Sequence, residues 1–123
     1  MNDLRKTIGS YGEELAVLYL VNNGYSIIKR NLRCSKGEID IIAVNGEIVS
    51  FIEVKSRYNS AFGLPAESIT CFKKNRIISS SKYFIHRLNL YNYYIRFDII
   101  EVYFNHSNNE YTIRFLEDAF RLF

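Results

Sequence analysis

Apolar positions recur along this chain with two periods, and the changes of period divide it into elements. From residue 3 to 23 the spacing is helical: Leu15, Ala16, Leu18 and Tyr19, then Val21 or Asn22, recur on that period, and Gly24 stops the run. Gly9 and Gly12 lie early in this helix and weaken it, and glycines there suit close packing against another backbone. From Tyr25 the period shortens. Tyr25, Ile27 and Ile28 lead a strand that runs to about Arg33. Residues 38–44 and 47–57 are strand-like on either side of Asn45-Gly46, the strongest short hairpin signal a sequence offers. Residues 59–67 read as a loop holding the single proline, Pro65. Residues 69–88 read as a second helix with Thr70 as its candidate cap. Residues 95–104 and 111–116 read as strands separated by the polar turn Asn105-His106-Ser107-Asn108-Asn109. This order predicts an α/β or α+β domain in which helices cover a mixed central sheet.

The hairpin carries the chemistry. With Asn45 and Gly46 as its central residues, Val44 faces Glu47, Glu38 falls opposite Glu53, and Asp40 falls opposite Phe51. Strand side chains alternate faces, so Glu38, Asp40, Glu53 and Lys55 share one face, with Asp40 diagonal to Glu53. Diagonal neighbours sit about 7–8 Å apart, a span that one cation and its ligands bridge. The surrounding residues are Ile39, Ile41, Ile42, Val49, Phe51, Ile52 and Val54, so burial raises the pKa of these acids. Lys55 offsets one negative charge. A divalent cation resolves the excess, and Mg²⁺ suits hard oxygen ligands with several waters. The same residues also fit a solvated face of an edge hairpin, where charge discourages aggregation and Lys55 pairs with Glu53. Spacing alone leaves both readings open.

Composition narrows the class of protein. A chain of 123 residues suits one compact domain over residues 1–123, with little room for a second. No apolar run approaches the ~18 residues of a membrane helix. The opening MNDLRKTIGSYGEE lacks a basic segment followed by an apolar one, so the expectation is a cytoplasmic protein without membrane contact. Cys34 and Cys71 form no metal-type pair and are read as reduced thiols. A net charge of +3 and a pI near 8.9 are compatible with a polyanion partner without singling one out. Basic residues cluster at Lys29, Arg30, Arg33 and Lys36, and again at Lys73, Lys74, Arg76 and Lys82. Such clusters are more often solvated faces than phosphate sites. Aromatic side chains can stack on unpaired bases, but Tyr19, Phe51, Phe84, Tyr94 and Phe97 fall at core-facing positions. Tyr11 and Tyr58 border the motifs. Asp98 is expected to pair with a nearby arginine and order the sheet. His86 and His106 have no partner in sequence, and Gly63 and Pro65 fix a loop shape.

Two segments together are specific. Gly37-Glu38-Ile39-Asp40-Ile41-Ile42-Ala43 followed by Phe51-Ile52-Glu53-Val54-Lys55-Ser56-Arg57 resembles the YraN family of bacterial proteins. Further matching pieces are Gly12-Glu13 with Ala16, Gly24-Tyr25, Arg30-Asn31 with Arg33, Phe62-Gly63 with Pro65, Lys73 or Lys74, Arg96-Phe97-Asp98, and Ala119-Phe120. That family is similar, at a distance, to archaeal Holliday-junction resolvases of the PD-(D/E)XK superfamily. The resemblance implies a restriction-endonuclease-like core and a Mg²⁺- or Mn²⁺-dependent endonuclease acting on nucleic acid, branched DNA among the substrates. Asp40 stands at the first metal-binding aspartate, and Glu53 and Lys55 at the E-x-K pair. Glu13 matches the acidic residue that many members bring from the first helix to the metal. The Val54 carbonyl is a further candidate ligand. Lys55 is implied to orient or help deprotonate the attacking water. Glu38 belongs to the family motif without a superfamily role and is read as supporting the site from behind the ligands, and Arg57, Lys73, Lys74 and Arg76 are read as holding the phosphate backbone. A homodimer follows by analogy with junction resolvases.

Two departures stand out. Ile39 occupies the place of the superfamily proline, and where the family carries a histidine shortly before a C-terminal Asn-Ala-Phe this chain has Arg114-Phe115-Leu116 and then Asp118-Ala119-Phe120. A non-catalytic nucleic-acid-binding module of the same fold, or a protein-interaction adaptor, are the competing classes.

Overall fold

A computed structural model of the chain describes residues 4–58, 71–105, 108 and 110–121. The predicted loop with Gly63 and Pro65, the Thr70 cap and His106 lie outside the described residues. The elements are α1 (Leu4–Asn22), β1 (Ser26–Cys34), β2 (Gly37–Asn45), β3 (Ile48–Tyr58), α2 (Cys71–Arg87), β4 (Tyr94–Phe104) and β5 (Tyr111–Phe120). Their order is the predicted one. Gly24 ends α1 as expected: its φ is +90°, and Tyr25 N–H reaches back to the Leu20 carbonyl at 2.9 Å. Strand β5 outruns its predicted end at residue 116. Glu117 and Asp118 break its alternation, and β4 shows a register shift between Phe97 and Ile99 as the pairing continues to Phe120.

The strands form one mixed sheet in the order β1-β2-β3-β4-β5. Strands β3 and β4 are parallel along their whole length, from Ile48–Tyr94 to Tyr58–Phe104, and α2 makes the crossover. The other pairs are antiparallel. Helix α1 covers one face, where Leu15, Ala16 and Leu20 pack with Ile41, Ala43, Ile52, Ile100 and Val102. Helix α2 covers the other, where Ile77 and Phe84 pack with Ile39, Ile42, Val49, Phe51 and Phe97. The result is an α/β domain with a central sheet flanked by helices. Among the described residues, no helix is long and apolar enough to cross a membrane.

The hairpin register corrects the one read from sequence. Asn45 pairs with Ile48, Val44 with Val49 and Ile42 with Phe51. The central residues of the turn are therefore Gly46 and Glu47, and Gly46 takes the positive φ of +61° that a type II′ turn requires at its first central position. Val44 does not face Glu47, and Glu38 does not fall opposite Glu53. The slip is two residues, so the faces survive while the partners change: the register now aims Asp40 at Glu53. The ladder itself stops at Ile41–Ile52, and the strands part there.

Gly12 explains how α1 lies so close to the sheet. A Cβ at this position would collide with the Ser56 hydroxyl and lie 2.9 Å from Ser56 Cβ. Gly9 meets nothing within 4 Å, so close packing accounts for only one of the two glycines. Gly12→Ala is expected to destabilise the fold by about 1–3 kcal/mol through overpacking, despite the better helix propensity of alanine. Urea denaturation checks this, and a Gly12→Ala protein as stable as wild type would show that the helix can ride up at no cost.

Candidate active site

Where β2 and β3 part, a cavity of about 600 Å³ opens beneath the first turns of α2. Glu38, Asp40, Glu53, Lys55, Lys73 and Arg76 line it, with Phe72 at its rim. Strand β2 changes sides here: Ile39 joins the cluster under α2, whereas Ile41 joins the one under α1. Asp40 sits at this crossover. Its Oδ2 accepts a 2.8 Å hydrogen bond from Val54 N–H, taking the place of the missing ladder bond.

Glu53 is held by two ammonium groups. Lys73 Nζ lies 2.7 Å and Lys55 Nζ 3.2 Å from its Oε1, and both Glu53 and Lys55 are largely buried. Glu53 Oε2 is buried without a hydrogen-bond partner. Burial and the nearby Lys73 lower the Lys55 pKa against the pull of Glu53. For Lys73 burial pulls down too, but the Glu53 hydrogen bond, Lys55 and the charges of Glu53 and Asp40 outweigh it. Burial is likewise the main reason that the Glu13 pKa is raised, with Arg30 and a hydrogen bond from Asn31 pulling the other way. Glu13 Oε1 is buried and unpartnered.

The basic residues divide. Arg76 lies over the Phe72 ring, 5.7 Å from its centroid. Lys74, one residue from Lys73, faces Ile99, Phe115 and Leu116 instead of the acidic cavity. Arg57 follows Lys55 on the same face of β3, and its charge reaches Glu101. In the first basic cluster, Arg30 pairs with Glu14 at 2.8 Å and Arg33 with Glu38 at 3.1 Å. Glu38 thus lines the cavity while its carboxylate is turned to a surface arginine. Both cysteines are free thiols.

This geometry can be set beside known proteins. The model of the uncharacterised protein family UPF0102 matches residues 12–102, most of the chain and all of the cavity's strand residues. The chain belongs to the UPF0102 family. The resemblance read from the GEID and EVKSR segments therefore holds. A UPF0102 protein of Clostridium perfringens (strain 13) is 55% identical over 122 residues, covering 99% of this chain and 100% of that protein. One from Clostridium acetobutylicum is 47% identical over the same extent. Among solved structures, that of Pyrococcus furiosus SfsA in complex with Ca²⁺ aligns with 92% of this chain and 63% of that one, at 16% identity and a TM-score of 0.36. This chain thus spans just under two thirds of that structure's length.

The donor set in this UPF0102 chain suits a hard cation. Among the described residues, no three Asp, Glu, His or Cys side chains converge as a ready-made cage. Mg²⁺ does not need one, because it is held by one or two carboxylates and keeps several waters. Asp40 and Glu53 can supply those carboxylates, and Glu53 Oε2 is a buried acceptor with no hydrogen-bond partner, whereas Glu13, with its own unpartnered Oε1, does not line the cavity.

Three residues were given no role in the sequence reading. Glu101 on β4 is 1% exposed, pairs in register with Lys55, and has Oε1 buried without a partner while Tyr103 Oη donates to Oε2 at 3.2 Å. Burial raises its pKa against the pull of Tyr103, Arg114, Arg57 and Lys55. An acid inside the run Ile99-Ile100-Glu101-Val102 was the available signal. Asn31, between the pairs Arg30–Ile41 and Leu32–Ile39, takes a φ of +54° on the stretch of β1 beside Asp40. Phe72 is the third.

Burial, reinforced by Glu13, Glu53 and Glu38 and opposed by the Val54 hydrogen bond, pushes the Asp40 pKa from 3.8 to about 6. A carboxyl raised in the folded state costs nothing below its unfolded pKa. The cost grows as pH climbs through the interval up to the folded value and is full above it. Without metal, Asp40→Asn is therefore expected to match wild type below about pH 3 and to exceed it above pH 7 by on the order of 3 kcal/mol. Asparagine can still accept from Val54 N–H. Thermal melts in EDTA across this range test the point; an advantage that fails to grow with pH refutes the assignment.

Proposed function

We propose that this chain is a divalent-metal-dependent nuclease with a restriction-endonuclease-like core, cutting nucleic acid internally, with DNA as the substrate and branched DNA among its forms. The observation that carries this reading is the meeting of Asp40, Glu53 and Lys55 at one cavity where two strands part. Asp40 and Glu53 would hold Mg²⁺ or Mn²⁺, with Glu13 and the Val54 carbonyl beside them. When bound, the cation supplies charge that favours deprotonation of water and stabilises developing negative charge on the phosphate.

The chain's own residues do the rest. Lys55 is fixed by Glu53, so its ammonium group meets a phosphate oxygen without losing side-chain freedom at that moment. Its lowered pKa also brings it nearer to proton exchange with the attacking water. Lys73 and Arg76 bring positive charge to the cavity wall and hold the phosphate backbone, and Arg57 extends that charge along β3. Cutting both arms of a branch requires two sites, so the reading includes a homodimer. Light scattering that gives a monomer at every working concentration removes that part. A cytoplasmic location, where Mg²⁺ and DNA meet, goes with the reading.

A second reading has one observation in its favour. Glu53 is already neutralised by two lysines, an arrangement that is stable with no cation. A nucleic-acid-binding module without catalysis fits that. A panel of single-stranded, duplex, flap and four-way DNA, with RNA counterparts, decides between the two in Mg²⁺ and in Mn²⁺. Cleavage lost in Asp40→Asn supports the nuclease. Salt-dependent binding with no cleavage of any substrate supports the module.

A further inference from the structure

Phe72 is out of place for a residue of the core. It lies in the first turn of α2 and is 70% exposed. The helix buries Ile77, Ser80, Ser81 and Phe84, a stripe that leaves Phe72 to one side. The ring instead borders the cavity shared by Asp40, Glu53 and Lys55, with the Arg76 guanidinium over it at 5.7 Å. Lys73, the next residue, reaches Glu53 at 2.7 Å. One helical turn thus presents an aromatic plane, a guanidinium and an ammonium group at the mouth of an acidic cavity.

Each part has a counterpart in one ligand, a nucleotide whose base is not paired. Phosphate is drawn to the cations, and the base face to the ring. A base inside a duplex has both faces covered by its neighbours and cannot use the platform unless it is extruded. We propose that Phe72 stacks on an unpaired base next to the phosphate held at the cavity, so that the site selects nucleic acid with an exposed nucleotide over continuous duplex. This inference rests on the nucleic-acid reading of the cavity above. Arg76 preorganises the platform by holding the ring from its other face, and the selection is tolerant of sequence because every base has a π-face.

The test is equilibrium binding in EDTA, where nothing is cut, of a labelled single-stranded DNA and a blunt duplex of the same sequence. Phe72→Ala is expected to weaken single-strand binding by about 5- to 100-fold and to leave duplex binding within about 2-fold. Phe72→Leu loses as much, because it keeps apolar contact but not the ring. Phe72→Trp retains wild-type affinity. The salt dependence is unchanged in all three, since no charge is altered. A 2-aminopurine in the single strand is quenched by wild type and by Phe72→Trp only. The inference is overturned if Phe72→Ala binds the single strand as wild type does, if both substrates weaken together, or if Phe72→Leu restores binding. In those cases wild type still binds DNA and the nucleic-acid reading stands. If wild type binds neither substrate at low salt, that reading fails and takes this one with it. Equal Tm values for all variants exclude misfolding.

Discussion

Lys55→Ala is expected to lower metal-dependent DNA cleavage by about 10²–10⁴-fold while leaving the fold intact. The loss follows from what Lys55 is positioned to do: a largely buried ammonium group, locked on Glu53, cannot be replaced by water with the same orientation. The fold survives because Glu53 keeps Lys73 at 2.7 Å after Lys55 is gone. Single-turnover cleavage and a thermal melt on the same preparation measure both halves. Wild-type cleavage by Lys55→Ala removes Lys55 from the mechanism. The double variant Lys55→Ala with Lys73→Ala strips Glu53 of both these ion pairs. It is expected to lose stability in EDTA and to recover part of it as Mn²⁺ is added, since a cation can take the place of the lost charges.

Asp98→Ala is expected to cost about 3–5 kcal/mol of folding stability, a large share of what a domain of this size has. Asp98 is fully buried on β4. Arg96 clamps it with Nε at 2.9 Å and a terminal nitrogen at 2.8 Å, the Ser50 hydroxyl donates to it, and Asp118 N–H donates at 2.7 Å. Arg96 in turn donates to Tyr25 Oη at 2.6 Å. Removal of the carboxylate leaves a largely buried guanidinium with only Tyr25 Oη and a long, 4.0 Å pairing to the exposed Glu117, and three donors lose their acceptor. Asp98→Asn keeps an acceptor and is expected to lose less. Urea denaturation orders the two, and equal losses would show that the carboxylate's charge contributes nothing. The network lies away from the cavity, so residual folded Asp98→Asn should still respond to metal.

The pairing of Arg96 with Asp98 was readable from their spacing on one strand face, as was the helix-strand order from the change of period. Other features were less legible, each for a physical reason. Asn-Gly marks a turn but does not say which residue leads it, and Gly46 as first central residue moved the register by two. The alternation of β2 predicts one face for Glu38 and Asp40, but the strand crosses over at Asp40, and no local propensity reports that. Lys73 and Lys74 are neighbours in sequence and about 100° apart around a helix, so only one enters the cavity. Tyr94 was expected in the core. As the first residue of β4 it stands 72% exposed, because periodicity cannot tell where a strand emerges from under its helix. Glu101 and Phe72 were hidden by an assumption that patterns encourage: acids belong outside and aromatic rings inside.

The parallel pairing of β3 with β4 has a consequence for how the molecule comes into being. Glu13, Asp40, Glu53, Lys55, Lys73 and Arg76 all precede β4 in the chain, and neither β4 nor β5 lines the cavity. A ribosome therefore releases these charged residues before it makes the strand that covers the open edge of β3. Until β4 docks, β3 presents an open hydrogen-bonding edge beside those charges, and the long loop closure through α2 sets the pace at which that edge is sealed.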